Sequence, residues 1–267
     1  MIIQTVALST GMTLEYLLTG PREAPALAFV HGLGPNLRQF LVQASHFVGP
    51  CRVLLISLRG HGGSSAARPP VPDAYTPRAL AQDVEALCTQ LGIEGLHFVG
   101  NSLGGLVGYE LLHLGRPRLL SLTTFGTTAE LHSSRLRVWT VVTAIRLLGV
   151  RGMAAVVART GAKDRAVGAE VAKMYRNATK DALLLISRQI ADYDYTERLR
   201  RAEVPLLLIQ GELDEEINAV LGSTLAAIRE SRRGAAVCLP GAGHFANLER
   251  PEAFNHVLKV FLAEVGS

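Results

Sequence analysis

One serine stands among three glycines in the segment GNSLGG, residues 100–105. Glycine loses more backbone entropy on folding than any other residue, so this cluster indicates an unusual backbone conformation around the hydroxyl. The preceding LHFV is typical of a strand and the following LVGYELL of a helix. In a strand–turn–helix arrangement, the Ser102 hydroxyl would lie at a helix N-terminus, where free N–H groups favour an anion. The pattern predicts a nucleophilic serine.

A nucleophilic serine needs a base to take its proton, and that base must be oriented by a carboxylate. His244 lies in the glycine-rich loop of LPGAGHFANLERP, after the last predicted strand, and Asp214 follows the strand before it. The chain order Ser102, Asp214, His244 is the order of α/β folds that present a serine on such a turn. Because loops after parallel strands meet at one sheet edge, we predict that the three side chains form a catalytic triad.

The chemistry also requires two N–H groups directed at the charge that develops on an attacked carbonyl. The backbone N–H of Leu103, directly after the serine, is the first candidate. The second is the N–H of Leu33, which lies between Gly32 and Gly34 in the segment HGLGP. Glycines at these positions would let the substrate oxygen approach the main chain.

Short apolar runs that alternate with helical patterns indicate how these residues are positioned. Eight runs are predicted as strands, at residues 2–8, 12–18, 26–31, 52–58, 96–101, 119–126, 204–211 and 235–241. The first two are separated by a turn and predict a hairpin. The near-continuous apolar character of the others suits strands buried on both faces. The sequence therefore predicts an α/β fold with an eight-stranded, mostly parallel sheet flanked by helices.

Residues 129–199 break this alternation with several helical patterns and no convincing strand. Because the strand pattern resumes at Val204, we predict a helical cap, or lid, inserted after strand 6. The core would then consist of residues 1–128 and 200–267.

Aromatic side chains in and near this insertion are candidates for binding the apolar portion of a small-molecule substrate. They are Trp139, Tyr175 and Tyr193, together with Phe245 beside the predicted catalytic histidine. Packing inside the cap is an equal alternative for the three cap residues, since amphipathic helices also need core residues.

Composition excludes several classes of protein. With 48% hydrophobic and 19% charged residues, the chain has a globular composition. Its N-terminus has no basic start followed by an apolar run, and the most apolar stretch, residues 138–150, is short and interrupted by Arg146. We expect no signal peptide, no membrane span and a soluble, cytoplasmic protein.

Charge and metal-ligand patterns limit the expected partners. Residues 130–200 hold 13 Lys or Arg against 7 Asp or Glu, but no dense basic run interleaved with aromatics. We therefore expect solvated helical faces and no nucleic-acid binding. Cys51, Cys88 and Cys238 are widely spaced in apolar segments and are predicted to be buried thiols. We expect no metal, no cofactor and a small-molecule substrate as partner, and the sequence does not determine the oligomeric state.

These motifs together resemble the α/β-hydrolase superfamily over nearly the whole chain. The resemblance rests on HGLG, LRGHGGSS (58–65), the GNSLGG turn, Asp214 and GHFANLERPEAF (243–254). Within the superfamily the chain is similar to the lidded group that includes esterases, lactonases and carbon–carbon bond hydrolases. It departs from its relatives at Ser57, where they usually carry an aspartate with a structural role.

The resemblance implies a serine hydrolase that cleaves a small carboxylic ester, thioester or lactone through an acyl-enzyme on Ser102. A carbon–carbon bond hydrolase of a dienoic diketo acid, of the meta-cleavage type, is one alternative. HGLGP and Asn101 favour it, whereas that group usually has Trp where Phe245 stands. A slow-turnover small-molecule receptor of the same fold is the other alternative.

Neighbouring residues offer competing assignments within the site. Glu212, Glu215 and Glu216 compete with Asp214 for the role of triad acid, although Asp214 matches the spacing of the resembling family. His31 and His61 lie in glycine-rich turns, and we expect both to be structural.

Overall fold

The structure, a computed structural model, describes residues 1–266 and contains all eight predicted strands, with ends shifted by one or two residues. Two further strands lie in the predicted insertion. In chain order the strands are β1 (Ile3–Ala7), β2 (Thr13–Thr19), β3 (Ala26–Val30), β4 (Arg52–Ile56), β5 (Gly95–Asn101), β6 (Arg118–Phe125), β7 (Glu130–His132), β8 (Asp192–Asp194), β9 (Leu206–Gly211) and β10 (Gly234–Leu239).

Eight of the strands form one sheet in the order β1-β2-β4-β3-β5-β6-β9-β10. Strand β2 is antiparallel to both of its neighbours, and every other pairing in this sheet is parallel. The eight-stranded, mostly parallel sheet is therefore confirmed. Strands β5, β9 and β10 consequently end at the same edge, which is where the predicted triad residues follow them.

Helices connect the strands and cover the sheet. They are α1 (Leu41–Phe47), α2 (Pro77–Gln90), α3 (Leu103–Leu114), α4 (Arg135–Thr160), α5 (Arg165–Tyr175), α6 (Lys180–Gln189), α7 (Thr196–Arg200), α8 (Glu215–Asn218), α9 (Gly222–Glu230), α10 (Ala246–Glu249) and α11 (Pro251–Val265). Helix α2 begins at Pro77, because the Thr76 side chain accepts from the Ala79 N–H and proline suits the first helical position.

Two apolar cores lie on opposite faces of the sheet, and alternate residues of one strand supply them. In β3, Ala28 and Val30 join the core that includes α2 and α3, whereas Leu27 and Phe29 join the core that includes α1 and α11. Successive side chains of a strand point to opposite faces, so a strand buried on both faces must be apolar throughout. This explains the continuous apolar runs in the sequence.

Residues between β6 and β9 form helices α4 to α7, but they also contain two strands that the sequence analysis did not predict. Strands β7 and β8 pair antiparallel, with Leu131 opposite Tyr193. Each has three residues of mostly polar type, too short for an alternating pattern to be recognised. Their pairing brings the two ends of the insertion together beside the core.

Helix α4 is longer than its apolar stretch indicated. By length and composition it is the one helix among residues 1–266 that could cross a membrane, and 17% of its most apolar window is buried. Gly149, however, has φ 61° and ψ −173°, which is not helical, so residues 135–148 and 150–160 are separate helical segments. Each is shorter than the roughly 20 residues that a span requires.

The prediction that all three cysteines are buried is wrong for one of them. Cys51 and Cys88 are buried, and burial raises the pKa of the Cys88 thiol to about 12. Cys238 is exposed because β10 is the last strand of the sheet and has a neighbour on one side only.

Candidate active site

Ser102 lies between β5 and α3 in a strained conformation. Its φ of 51° makes it the one non-glycine residue with positive φ among residues 1–266. The tight turn depends on its neighbours, because a Cβ at Gly100 would overlap the backbone of Gly104, and a Cβ at Gly104 would overlap the Val30 carbonyl. Gly100 and Gly104 therefore have a steric reason, which is close backbone packing, whereas a Cβ at Gly105 would overlap the Thr127 side chain.

Asp214 and His244 follow β9 and β10 and are in direct contact. Asp214 Oδ2 lies 2.9 Å from His244 Nδ1, with the carboxylate buried and the imidazole 29% exposed. A carboxylate oxygen accepts, so Nδ1–H donates this bond, and in the neutral imidazole the lone pair is then on Nε2. The side chain is thereby oriented as a base with one free nitrogen.

The three competing glutamates have other partners. Glu212 accepts a hydrogen bond from the Gly241 N–H at 2.8 Å. Glu215 accepts from Lys163 Nζ at 2.7 Å, and Glu216 from Arg137 at 3.2 Å. Among the four acids in this loop, Asp214 is the one that contacts the histidine.

The loop after β3 lies directly against the serine. A Cβ at Gly32 would lie 3.1 Å from the Ser102 Cβ, which is tighter than an ordinary contact, so a glycine lets the two segments approach without displacement. Leu33 follows it and lines the adjoining cavity. Leu103 begins α3, where the first N–H groups of a helix have no acceptor in a preceding turn.

His31 and His61 lie beneath the loops that follow β3 and β4. Both are fully buried. The His31 ring joins two loops, since Nε2 accepts from the Leu58 N–H at 2.9 Å and Nδ1 donates to the Gly32 carbonyl at 2.6 Å. Burial lowers the pKa of His31 well below its ordinary value and that of His61 to about 4. Both rings are therefore neutral supports of the loop that carries Leu33.

The Glu15 carboxylate of β2 lies beside Ser57, the position at which this sequence departs from the resembling family. Ser57 Oγ donates to Glu15 Oε2 at 2.6 Å and accepts from the Leu37 N–H at 3.1 Å. Arg38 pairs with the same carboxylate at 3.1 Å. Burial of Glu15 raises its pKa, but the hydrogen bonds from Ser57 and Gly63 and the Arg38 charge outweigh burial and lower it overall. Glu15 thus supplies a negative charge beside Ser57.

Sequence reasoning missed a buried network of amide side chains behind the site. Asn101 Nδ2 donates to the His244 carbonyl at 3.2 Å, and its Oδ1 accepts from Gln39 at 3.0 Å. Asn247 continues the network to Gln39 and Gln43. The network ties the serine turn to the histidine loop. A run of buried amides has no sequence periodicity, so only their contacts reveal it.

A cavity of about 450 Å³ adjoins the Asp214–His244 pair. Tyr175 and Phe245 line it, as does Leu33. The Tyr175 ring lies so close to Gly34 that any Cβ there would overlap it. Phe245 contacts the His244 ring edge-on, with centroids 5.2 Å apart. These two predicted aromatic residues therefore reach the cavity.

The other two predicted aromatic residues do not line this cavity. Trp139 is 64% exposed and borders a different groove on the outer surface of α4. Tyr193 packs against the core at the base of the insertion, where its hydroxyl is 3.0 Å from Thr128 Oγ1. Both were predicted from their position in the insertion, but a helix has several faces, and only contacts show which one meets the site.

No metal-binding arrangement accompanies these residues. Within residues 1–266, the His, Cys, Asp and Glu side chains form no group of three or more that could hold an ion.

The fold and the serine turn define a class of hydrolases, and comparison with known proteins agrees. The chain belongs to the alpha/beta hydrolase family, whose model matches residues 27–257. The family and the fold inferred from the sequence motifs are thereby confirmed.

Individual relatives span nearly the whole chain. The 3-oxoadipate enol-lactonase 1 of Acinetobacter baylyi is 25% identical, covering 96% of this chain and 95% of that protein. The crystal structure of the enol-lactonase from Burkholderia xenovorans LB400 has a TM-score of 0.85 and 26% identity, covering 97% of this chain and all of that one. A hydrolase from Pseudomonas aeruginosa has a TM-score of 0.79 and 29% identity, over 97% of this chain and 98% of that chain.

Proposed function

We propose that this protein is a serine hydrolase that cleaves a small carboxylic ester or lactone through an acyl-enzyme on Ser102. The observation that carries the proposal is the 2.9 Å contact between Asp214 Oδ2 and His244 Nδ1. That pair follows β9 and β10, on the same sheet edge as the strained serine after β5. An oriented base on the same sheet edge as a serine held on a strained turn is the arrangement that acyl transfer requires.

In the proposed reaction, Ser102 Oγ attacks the carbonyl carbon while His244 Nε2 takes the hydroxyl proton. Asp214 stabilises the imidazolium that forms. The backbone N–H groups of Leu33 and Leu103 bind the oxyanion of the tetrahedral intermediate. His244 then returns its proton to the leaving alcohol oxygen. Attack by a water molecule, deprotonated by the same nitrogen, releases the acid and regenerates the serine.

A lactone or ester fits better than a larger substrate. The cavity of about 450 Å³ is within the range of small-molecule sites. Tyr175 and Phe245 would contact the apolar portion of the substrate, and the Lys163 charge at the same cavity is already paired with Glu215. Similarity to two enol-lactonases at 25% and 26% identity supports lactones as the first substrates to test.

The experiment combines covalent labelling with turnover. We expect a fluorophosphonate to label the wild-type protein, and Ser102→Ala to lose both labelling and hydrolysis of p-nitrophenyl acetate and an aliphatic δ-lactone. Loss of the nucleophile should lower turnover by about 10⁴-fold or more. Circular dichroism of the variant serves as the folding control.

Other outcomes would redirect the proposal. Labelling that persists in Ser102→Ala would show that another residue is the nucleophile. Labelling without turnover of any ester or lactone would favour the receptor alternative. Cleavage confined to dienoic diketo acids would favour the carbon–carbon bond hydrolase.

A further inference from the structure

The first segment of α4 presents an uncovered apolar face to solvent. Leu136 is 71% exposed, Trp139 64% and Leu147 80%. Residues 136 and 147 are three helical turns apart and share one face, with residue 139 at its border. Ile145, on the opposite side of the helix, and Val142, next to Trp139, are buried. The segment therefore buries one apolar stripe and exposes a second. We call the exposed stripe, formed by Leu136, Trp139 and Leu147, the α4 face.

Unpaired arginines border the α4 face. Helix α4 contains five arginines and no acidic residue. Two of them, Arg135 and Arg146, line an open groove beside Trp139 together with Arg188 of α6. In the part of the chain that the structure describes, none of these three side chains forms an ion pair.

The groove has one acidic side chain among its described lining, and that side chain is already bonded. Asp192 Oδ1 lies 2.6 Å from His132 Nδ1. The positive surplus of residues 130–200, which the sequence analysis assigned to solvated faces, is thus partly concentrated beside exposed apolar side chains. An apolar stripe with cationic borders suits a surface that is both apolar and negatively charged.

We propose that the α4 face docks onto the surface of an anionic lipid bilayer, with the helix lying in the plane of the interface. Leu136, Trp139 and Leu147 would enter the boundary between headgroups and acyl chains. Arg135, Arg146 and Arg188 would extend to the anionic headgroups around them. The helix cannot cross the bilayer as one span, because Gly149 divides it into segments that are too short.

The arginines beside the α4 face favour an anionic bilayer over a second copy of the chain as the partner of this surface. A symmetric dimer through the α4 face would bring the same patch of each copy together, and with it two sets of unpaired arginines. That arrangement has like charges facing each other, whereas an anionic bilayer has the complementary charge.

Docking is independent of the proposed hydrolysis, since the groove beside Trp139 and the cavity beside His244 share no lining residue. The two proposals can therefore fail separately.

Trp139 is the only tryptophan in the chain, so its fluorescence reports on the α4 face directly. We expect its emission to shift to shorter wavelength when vesicles of 30% phosphatidylglycerol in phosphatidylcholine are added, with the protein floating with the vesicles. Lipids brominated on their acyl chains should quench the emission. Vesicles of pure phosphatidylcholine should bind much less, because each arginine near an anionic surface contributes about fivefold in affinity.

Variants separate the two components of the surface. Leu136→Gln/Leu147→Gln should lower partitioning into anionic vesicles by about tenfold or more, since both apolar side chains are lost from the interface. Arg135→Gln/Arg146→Gln/Arg188→Gln should remove the preference for the anionic lipid. Val260→Gln, which alters an exposed apolar residue on α11, is the matched control and should leave partitioning unchanged.

Three results would overturn the proposal. One is failure of the wild-type protein to float with anionic vesicles. Another is equal binding by Val260→Gln and the double leucine variant, with both folded by circular dichroism. The third is a Trp139 emission that shifts with protein concentration in the absence of lipid, because that result assigns the face to self-association. If the leucine variant does not fold, quenching of wild-type Trp139 by brominated lipid decides the question alone.

Discussion

At the scale of single residues, the candidate site depends on a conformation that most side chains avoid. Ser102 has φ 51°, and a non-glycine residue held at such values costs on the order of 1–3 kcal/mol. Two backbone hydrogen bonds hold Ser102 in this conformation. Its N–H donates to the Phe125 carbonyl at 2.9 Å, and its carbonyl accepts from the Gly105 N–H at 2.8 Å. The strain is therefore stabilised by packing and hydrogen bonds on both sides of the turn.

The choice of acid is tested at the same scale. Asp214→Asn should lower kcat by roughly 10³- to 10⁴-fold, since an amide carries no charge to stabilise the imidazolium of His244. Glu212→Gln is the matched control. Its amide oxygen can still accept from the Gly241 N–H, so we expect activity within about twofold of wild type. Steady-state kinetics on p-nitrophenyl acetate measures both. A larger loss in Glu212→Gln than in Asp214→Asn would reverse the assignment.

At the scale of elements, the loop that carries Leu33 is held by a strand far from it in sequence. Glu15 of β2 accepts from Ser57, which follows β4, and pairs with Arg38 in the segment after β3. Ser57, where the resembling family usually has an aspartate, has the Glu15 carboxylate of β2 beside it in this chain.

The hydrogen bond between Ser57 and Glu15 predicts that the effects of substitutions at these two positions on stability depend on each other. Ser57→Asp alone should destabilise the protein by about 1–3 kcal/mol, because it adds a second carboxylate next to Glu15. In the Glu15→Gln background, Ser57→Asp should lower the free energy of unfolding less. The interaction energy from the double-mutant cycle should be about 1 kcal/mol or more. Urea unfolding of the four proteins measures this. Additive effects of the two substitutions on the free energy of unfolding would contradict this dependence.

The pH dependence of stability follows from the same carboxylate. The pKa of Glu15 is lower in the folded protein than its ordinary value of 4.5. Its ionised form therefore contributes stability above pH 4.5, and that contribution is lost as the pH falls through the folded-state pKa. The stability difference between wild type and Glu15→Gln should be constant near neutral pH and shrink in acid. A difference that does not change between pH 7 and pH 3 would contradict the stated role of Glu15.

At the scale of the whole molecule, the insertion after β6 and the sheet core divide the site between them. The core supplies Ser102, Asp214 and His244, whereas α5 supplies Tyr175 to the cavity. We infer that substrate preference depends on the insertion and bond cleavage on the core, since an insertion can vary without moving the triad.

Two aromatic substitutions test this division. Tyr175→Ala should raise KM for p-nitrophenyl hexanoate more than it changes kcat on the acetate, because the longer chain contacts more of the cavity wall. Trp139→Ala should leave both constants unchanged, since that side chain lies on the outer surface. Tyr175→Leu controls for loss of packing against Gly34. Equal losses on short and long esters in a folded Tyr175→Ala would show that Tyr175 is a packing residue only.

The sequence by itself determined the sheet and the serine turn, because both arise from neighbours along the chain. Buried parallel strands require continuous apolar residues, and all eight runs were visible for that reason. The turn at Ser102 requires glycines at fixed offsets. The serine, the histidine and the set of four acids could be located in loops after strands from chain order alone.

Only the tertiary structure decided which of these residues meet. Asp214 and the neighbouring glutamates are of similar chemistry and adjacent in sequence, so only their contacts distinguish them. Trp139 and Tyr175 are both aromatic residues of the insertion, yet one faces solvent and the other the cavity. Glu15 lies far along the chain from Ser57, which it contacts. Such choices depend on how distant segments pack, and local pattern contains no information about that packing.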